Sequence, residues 1–366
     1  MKVEYSYLKP QFKNHKKIFR DIEALLQTTD FTLGQPVVEF EEKFAKLCDT
    51  KYAVGVGTGT DALRLSLKAL DIGAGDEVIT APNTFFATVG AIVTAEAIPV
   101  FVDVNEEYNI DPDLIEDAIT DKTKALMPVH LTGCPSDMQK ITALAHKHRL
   151  HVIEDACQAI GAEINGKRVG SFGVTAGFSL HPLKNLNVWG DGGLITTNSN
   201  ELCEKLRLMR NHGLVDRDVC NFFAYNCRLD SLQAVVGNYL IEKVEDITNA
   251  RIENAKYYDE ELLKLPEYIT IPPRRKNVRQ VYHTYVIQAK ERDKLLKFLL
   301  ENGIEAKVHY PIPLHLQPAA KELGYKEGDF PVCEAQAKSI ITLPVHQHLT
   351  NEQKRYVINK IKEFYK

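Results

Sequence analysis

The sequence predicts an α/β protein with a large domain on a mostly parallel sheet and a smaller α+β domain toward its C-terminal end. Three features carry that expectation. Short apolar runs alternate with amphipathic stretches from residue 52 to about 197, the rhythm of βαβ units. From about 201 to 265 the apolar spacing becomes helical, and the stretch 231–263 reads as two helices or one bent helix that joins domains. Pro266, Pro272 and Pro273 then mark a switch to mixed strands and helices. A chain of 366 residues is too long for one small core, so the expected division is 35–245 for the large domain and 246–366 for the small one. Residues 1–34 form an N-terminal segment that packs either on the small domain or on a second subunit.

Along the chain, helical spacing covers 13–27. The run Phe31-Thr32-Leu33-Gly34-Gln35-Pro36 reads as a turn, because glycine and proline interrupt the spacing, and 38–47 is helical again. Strands are expected at 52–56, 77–81, 100–104, 125–129, 151–155, 176–179 and 194–197, short apolar runs of which most contain β-branched residues. Helical patterns at 61–70, 86–95, 112–119 and 137–148 supply the crossovers that parallel strands require. Pro182 and the glycines from Gly190 to Gly193 break the rhythm and leave Lys184 on a loop. Further on, 284–288 and 306–310 read as strands, and 293–302, 332–339 and 351–365 as helices.

Bulk composition narrows the class of ligand. Hydrophobic residues make up 44% and charged residues 26%, ordinary for a globular protein, and the formal charge of −4 is spread without a basic stripe or polybasic cluster. Small molecules are therefore the expected ligands, with no nucleic acid and no membrane among the partners. Seven cysteines, an odd count without paired metal-type spacing, point to reduced thiols and to no metal site. The N-terminal residues lack the apolar core of a signal peptide, and no run reaches the roughly 20 apolar residues of a membrane span. The expected compartment is the cytoplasm.

Two side chains far apart in sequence carry the chemistry. Lys184 stands in Ser179-Leu180-His181-Pro182-Leu183-Lys184-Asn185, and Asp155 ends the strand-like run Val152-Ile153-Glu154-Asp155. A primary amine that bonds to an aldehyde, and a carboxylate that keeps a pyridine nitrogen protonated, are the pair that a pyridoxal phosphate enzyme places across its cofactor. A loop lysine alone is ordinarily a solvated charge, and an aspartate at a strand end is often a helix N-cap, so the signal is the pair. The run Gly55-Val56-Gly57-Thr58-Gly59-Thr60-Asp61 follows a strand and opens a helix, which makes either a tight turn or a phosphate cradle. It has neither the ending of a Walker A loop nor the full dinucleotide fingerprint. Ser179 offers a hydroxyl to the same phosphate, and Pro182 stiffens the turn that aims Lys184. Gln158, one turn beyond Asp155, reaches the cofactor or caps. Phe85 is either core or a ring on the pyridine face. His130 reads as a satisfied core histidine.

Taken together, these segments resemble the DegT/DnrJ/EryC1/StrS sugar aminotransferases, within the aspartate-aminotransferase fold (fold type I) of pyridoxal phosphate enzymes. The resemblance runs from about residue 34 onward. It rests on Gly59-Thr60-Asp61-Ala62-Leu63, Glu154-Asp155-Ala156-Cys157-Gln158-Ala159-Ile160-Gly161, the lysine loop, Gly190-Asp191-Gly192-Gly193 and Tyr225-Asn226-Cys227-Arg228-Leu229. It implies that Lys184 forms the internal aldimine, that Asp155 binds the ring nitrogen and that Gln158 contacts the ring hydroxyl. It also implies that Gly59, Thr60, Asp61 and Ser179 hold the phosphate and that Phe85 stacks on the ring. Asn226 would reach the phosphate of a neighbouring subunit, which requires a homodimer with shared active sites. The implied reaction moves an amino group, from glutamate, to a keto-sugar that is most often nucleotide-linked, in amino-sugar biosynthesis. His309 and Tyr310 would line the sugar pocket.

Two departures stand out. Thr132 occupies a position where many relatives have tyrosine, and Asn187-Val188-Trp189 replaces smaller residues, so that Trp189 is expected to reshape the substrate pocket. A sugar dehydratase on the same fold carries histidine in place of the lysine, and a relative that only binds or regulates would lose the lysine or the aspartate. Lys184 and Asp155 argue against both.

Overall fold

Runs of Val, Ile, Ala and Gly become strands buried on both faces, as parallel strands flanked by helices must be. The computed structural model describes residues 1–366. Its first nine strands are β1 (Tyr52–Val56), β2 (Glu77–Thr80), β3 (Ile98–Phe101), β4 (Thr123–Leu126), β5 (His151–Asp155), β6 (Glu163–Ile164), β7 (Lys167–Arg168), β8 (Thr175–Ser179) and β9 (Gly193–Thr197). Seven of them form the main sheet in the order β1-β9-β8-β5-β4-β2-β3, in which β9 is antiparallel to both neighbours and the remaining pairs are parallel. The helices Gln35–Leu47 and Ser231–Ile241 cover one face, where Phe40, Phe44, Phe178 and Leu240 are fully enclosed. The helix Gly59–Ala69 buries Leu63 and Leu67 in a second cluster with Val78 and Ile153.

A second, antiparallel sheet is made by β10 (Ile269–Thr270), β12 (Tyr285–Ala289) and β13 (Ile340–Leu343), in the order β10-β12-β13. Its core joins Tyr258, Tyr285, Leu295, Ile341 and Ile361, contributed in part by the helices Val244–Leu262, Arg292–Glu301 and Asn351–Phe364. The short strand β11 (Val278–Arg279) pairs instead with the β6–β7 hairpin. Residues of the N-terminal segment reach both parts. Val3 exchanges backbone bonds with Gly303 and Glu305 at 2.8 and 2.9 Å, while the helix Lys16–Thr28 buries Ile18 and Leu25 in the cluster that holds Phe40.

The sequence expectations need two corrections. The helix expected at 112–119 is a single 3-10 turn, Glu116–Ala118, because only Ile115 is buried there and one anchored apolar residue does not repay the ordering of a helix. The strand expected at 306–310 is irregular, joined to β13 by one bridge between Lys307 and Thr342. The stretch 231–263 resolves into two helices, Ser231–Ile241 and Val244–Leu262. All seven cysteines are free thiols, and no helix is long and apolar enough to cross a membrane.

Candidate active site

Strand alternation sends neighbouring carboxylates of β5 in opposite directions. Glu154 is fully buried and accepts the backbone amides of Gly170, Phe172 and Gly173 as well as a bond with His130, so its charge is spent on holding the sheet. His130 is thereby a satisfied core histidine, as expected. Asp155, at the carboxyl end of the strand, opens instead into a cavity of about 320 Å³. Its Oδ2 accepts the Thr88 hydroxyl at 2.7 Å, Thr88 is bonded to Thr84 at 2.8 Å, and Oδ1 accepts the Cys157 amide at 3.2 Å. These bonds fix the carboxylate without giving it a cationic partner in the chain. A helix N-cap is not its role, since no helix follows β5 directly.

Lys184 lines the same cavity. Burial pushes its amine below the usual lysine range, and the opposing pull of the Cys157 thiol and the Asp155 carboxylate is smaller. The two residues form no ion pair, so an amine and a carboxylate face a common space from separate walls. The loop that bears the lysine is a tight turn in which the Lys184 amide donates to His181 O at 2.8 Å and the Val188 amide to Leu180 O at 2.9 Å.

The helix Gly59–Ala69 begins at the cavity edge with Thr58 as its N-cap. Glycine is needed at 59 because a Cβ there would lie 2.7 Å from Ser179 Cβ, and at 193 because one would lie 2.3 Å from Thr58 O. The helix N-terminus thus sits against the ends of β8 and β9. The amides of Gly59 and Thr60 find no partner within the chain, which leaves two donors and the positive helix end for an anion. Asp61 does not line this space: its carboxylate accepts from Thr58 Oγ1 and from Arg64, both at 2.9 Å. A carboxylate turned toward a phosphate would repel it, and the structure keeps it aside.

Gln158 is buried, accepts the Thr132 amide at 2.8 Å and points its amide group toward Tyr310 Oη at 3.5 Å. Thr132 is held at a positive φ of 61°, costly for a β-branched residue, by that bond and by one from Gln280 at 3.1 Å. Phe85 is 49% exposed at the cavity mouth, which removes the core alternative. Ser179, His309 and Tyr310 line the cavity as expected. Burial, then Lys307 and Lys184, press the His309 imidazole down to about 4, so it is neutral at physiological pH. Asn226 lies outside, exposed on the surface. Trp189 also lies outside and packs against Phe12 and Phe19 at 5.5 and 5.8 Å, so it does not shape the pocket within this chain. Sequence reasoning missed Thr84, Thr88, Tyr5 and His283, all of which line the cavity; the Thr84 and Thr88 spacing of one helical turn beside Phe85 was the one available hint.

The donor set matches pyridoxal phosphate group by group: an amine for its aldehyde, a carboxylate for its ring nitrogen, free amides with Ser179 for its phosphate, and an aromatic face. Fold and site together define a pyridoxal phosphate enzyme of the aspartate-aminotransferase fold. The chain belongs to the DegT/DnrJ/EryC1/StrS aminotransferase family, which it matches over residues 13–362.

It is 44% identical to a pleiotropic regulatory protein of Geobacillus stearothermophilus, over 99% of this chain and 96% of the relative. It is 42% identical to the dTDP-3-amino-3,6-dideoxy-alpha-D-galactopyranose transaminase of Aneurinibacillus thermoaerophilus, over 95% of each. Among solved structures, DesV of S. venezuelae superposes with a TM-score of 0.97 at 37% identity, covering 99% of this chain and 98% of that one. The cofactor is present by name in two further neighbours. One is NtdA of Bacillus subtilis with PMP, at 32% identity and TM-score 0.92, covering 99% of this chain and 85% of that one. The other is a Streptococcus pneumoniae protein, Spr1654, in its PLP form, at 27% and 0.89, with 95% of each chain covered. The protein is a pyridoxal phosphate-dependent aminotransferase.

Proposed function

We propose that the enzyme transfers the amino group of glutamate to the ketone of a nucleotide-linked sugar. The observation that carries this is the unpaired meeting of Lys184 and Asp155 across one cavity, and the dTDP-sugar relative supports the substrate class. The bound cofactor supplies an electron-withdrawing pyridinium. In this reading Asp155, fixed by Thr88, keeps the ring nitrogen protonated, and Lys184 Nζ holds the aldehyde carbon in the resting enzyme. Once displaced by the donor, the same amine, depressed by burial, takes up and returns a proton at Nζ. Gly59, Thr60 and Ser179 hold the phosphate, Gln158 meets the ring hydroxyl, Phe85 covers the ring, and His309 and Tyr310 face the sugar.

A homodimer with shared sites is part of the proposal. Val215, Val219, Phe222 and Phe223 are exposed just before Asn226, and Phe223 is wholly uncovered, an apolar surface suited to a second copy that would bring Asn226 to its partner's phosphate. We infer a domain division near residue 245, supported by the separate cores on either side, and a reducing, cytoplasmic setting, supported by the free thiols.

The test is to incubate the cofactor-loaded enzyme with glutamate and a panel of dTDP- and UDP-linked keto-sugars, and to follow the sugar by mass. Exchange of the keto oxygen for an amine, with glutamate released as its keto acid, is the expected result. Loss of water from the sugar, or turnover only with free sugars, would contradict the proposal.

A further inference from the structure

Tyr7 is 3% exposed, and its hydroxyl lies 2.7 Å from Lys184 O and 2.9 Å from Leu183 O. A phenol has one proton, so it donates to one of these carbonyls at a time while staying in reach of both. The Lys184 carbonyl has a second donor, Asn187 Nδ2 at 2.9 Å, which also serves Pro182 O at 2.7 Å. Beneath the Tyr7 ring, at 4.8 Å, sits the guanidinium of Arg251, 1% exposed, bonded to Gln347 and to the carbonyls of Tyr282 and His283 but to no carboxylate. A cation on the ring face draws charge from the phenol and makes its O–H a better donor.

Tyr7 is itself fastened from outside the main sheet. Val3 pairs with Gly303 and Glu305, Tyr5 N donates to Glu305 at 2.9 Å, Glu4 O is bonded to His346 at 3.1 Å, and Gln11 accepts from Gln347 at 2.6 Å. Farther along the same segment, Phe12 and Phe19 hold Trp189 at the other end of the lysine loop. Both bulky departures before Gly190, Asn187 and Trp189, therefore make contacts that brace this loop.

We propose that residues 1–28 are a brace for the lysine loop and that Tyr7 is the positioning residue that sets the backbone of Lys184. This rests on the reading of Lys184 as the cofactor-bearing lysine. An amine is placed no better than the backbone that carries it, and catalytic geometry tolerates errors of only about 0.5 Å. The brace ties that backbone to the region around residues 303–305 and 346–347, so movement of the smaller sheet relative to the larger would be felt at Lys184.

The experiment compares wild type with Tyr7→Phe and with Tyr258→Phe, a control that loses a buried phenol bond to Pro344 O at 3.0 Å and makes no bond to the lysine loop. Amide hydrogen exchange is measured first without cofactor. The expected result is about tenfold faster exchange at Lys184 and Val188 in Tyr7→Phe only, the equivalent of one lost bond of about 1.4 kcal/mol. On adding pyridoxal phosphate, Tyr7→Phe should bind it about tenfold more weakly and show altered visible circular dichroism at saturation, while Tyr258→Phe matches wild type. If Tyr7→Phe does not fold, Asn187→Ala removes the second donor and should move the same signals. Unchanged loop exchange and unchanged dichroism, or equal changes in both tyrosine variants, would overturn the brace. A Lys184→Ala protein with the wild-type visible spectrum would instead overturn the assignment of Lys184, whatever the exchange shows.

Discussion

The wall that carries Asp155 and the wall that faces it differ in how they are assembled. Asp155, Ser179 and the Gly59 helix end come from adjacent strands of one sheet and from the helix laid on it, within a stretch of about 125 residues. Tyr5, His283, His309 and Tyr310 come from the two ends of the chain, held by the smaller sheet and by irregular segments around it. The first wall is one continuous sheet with its helix, and in the proposed function it meets the cofactor's ring nitrogen and phosphate. The second depends on long-range packing and is where substrate selection would reside. One half of the site is thus set by a single sheet, and the other by contacts between distant parts of the chain.

Substitutions can test that division. Lys184→Ala should cause the largest loss, on the order of 10⁴-fold in kcat, because it removes both the tether and the proton carrier. Asp155→Asn should follow with a fall of about 10²-fold, since a neutral amide no longer favours the protonated ring nitrogen. Its visible spectrum at saturating cofactor should change as well. Thr88→Val, which leaves Asp155 in place without its 2.7 Å donor, should cost about tenfold in kcat in both half-reactions. Tyr310→Phe lies on the other wall, and its expected effect is about fivefold on KM for the keto-sugar with the glutamate half-reaction unchanged. Equal damage to both half-reactions from Tyr310→Phe would erase the distinction between the walls.

The smallest effect concerns stability. Burial lowers His309 and His346 to about 4 in the folded protein, below the roughly 6.5 of an unfolded histidine. Between these values the unfolded chain binds more protons, so stability is full above about pH 6.5 and falls as pH drops toward 4. Thermal melts from pH 7 to 5 should show the decline, and His346→Gln should make it shallower; an unchanged slope would remove His346 from the explanation.

The same contrast explains what could be read from the sequence. Strand β5 and its terminal Asp155 were legible because an apolar run ending in an acid has one local interpretation, and the glycines near 59 and 193 mark close approaches that other residues cannot make. Tyr5 and Tyr7 were not legible: their partners lie about 180 to 300 residues away, and neither forms part of a periodic pattern. Asp61 misled for a physical reason. Its position at a helix start suits either an anion site or a capping network, and only the Arg64 and Thr58 contacts decide between them. The segment at 306–310 misled because β-branched and aromatic residues beside a strand pair look alike whether or not they join it.

Lys184 and Asp155 line one cavity, and the proposed function has them share one cofactor. Borohydride reduction of the pyridoxal phosphate-loaded protein, followed by digestion and mass spectrometry, locates the lysine that held the aldehyde. The expected result is a single modified peptide with the added mass on Lys184, and far less of it in Asp155→Ala at limiting cofactor. Added mass on another lysine, or spread over surface lysines without preference, would contradict the account.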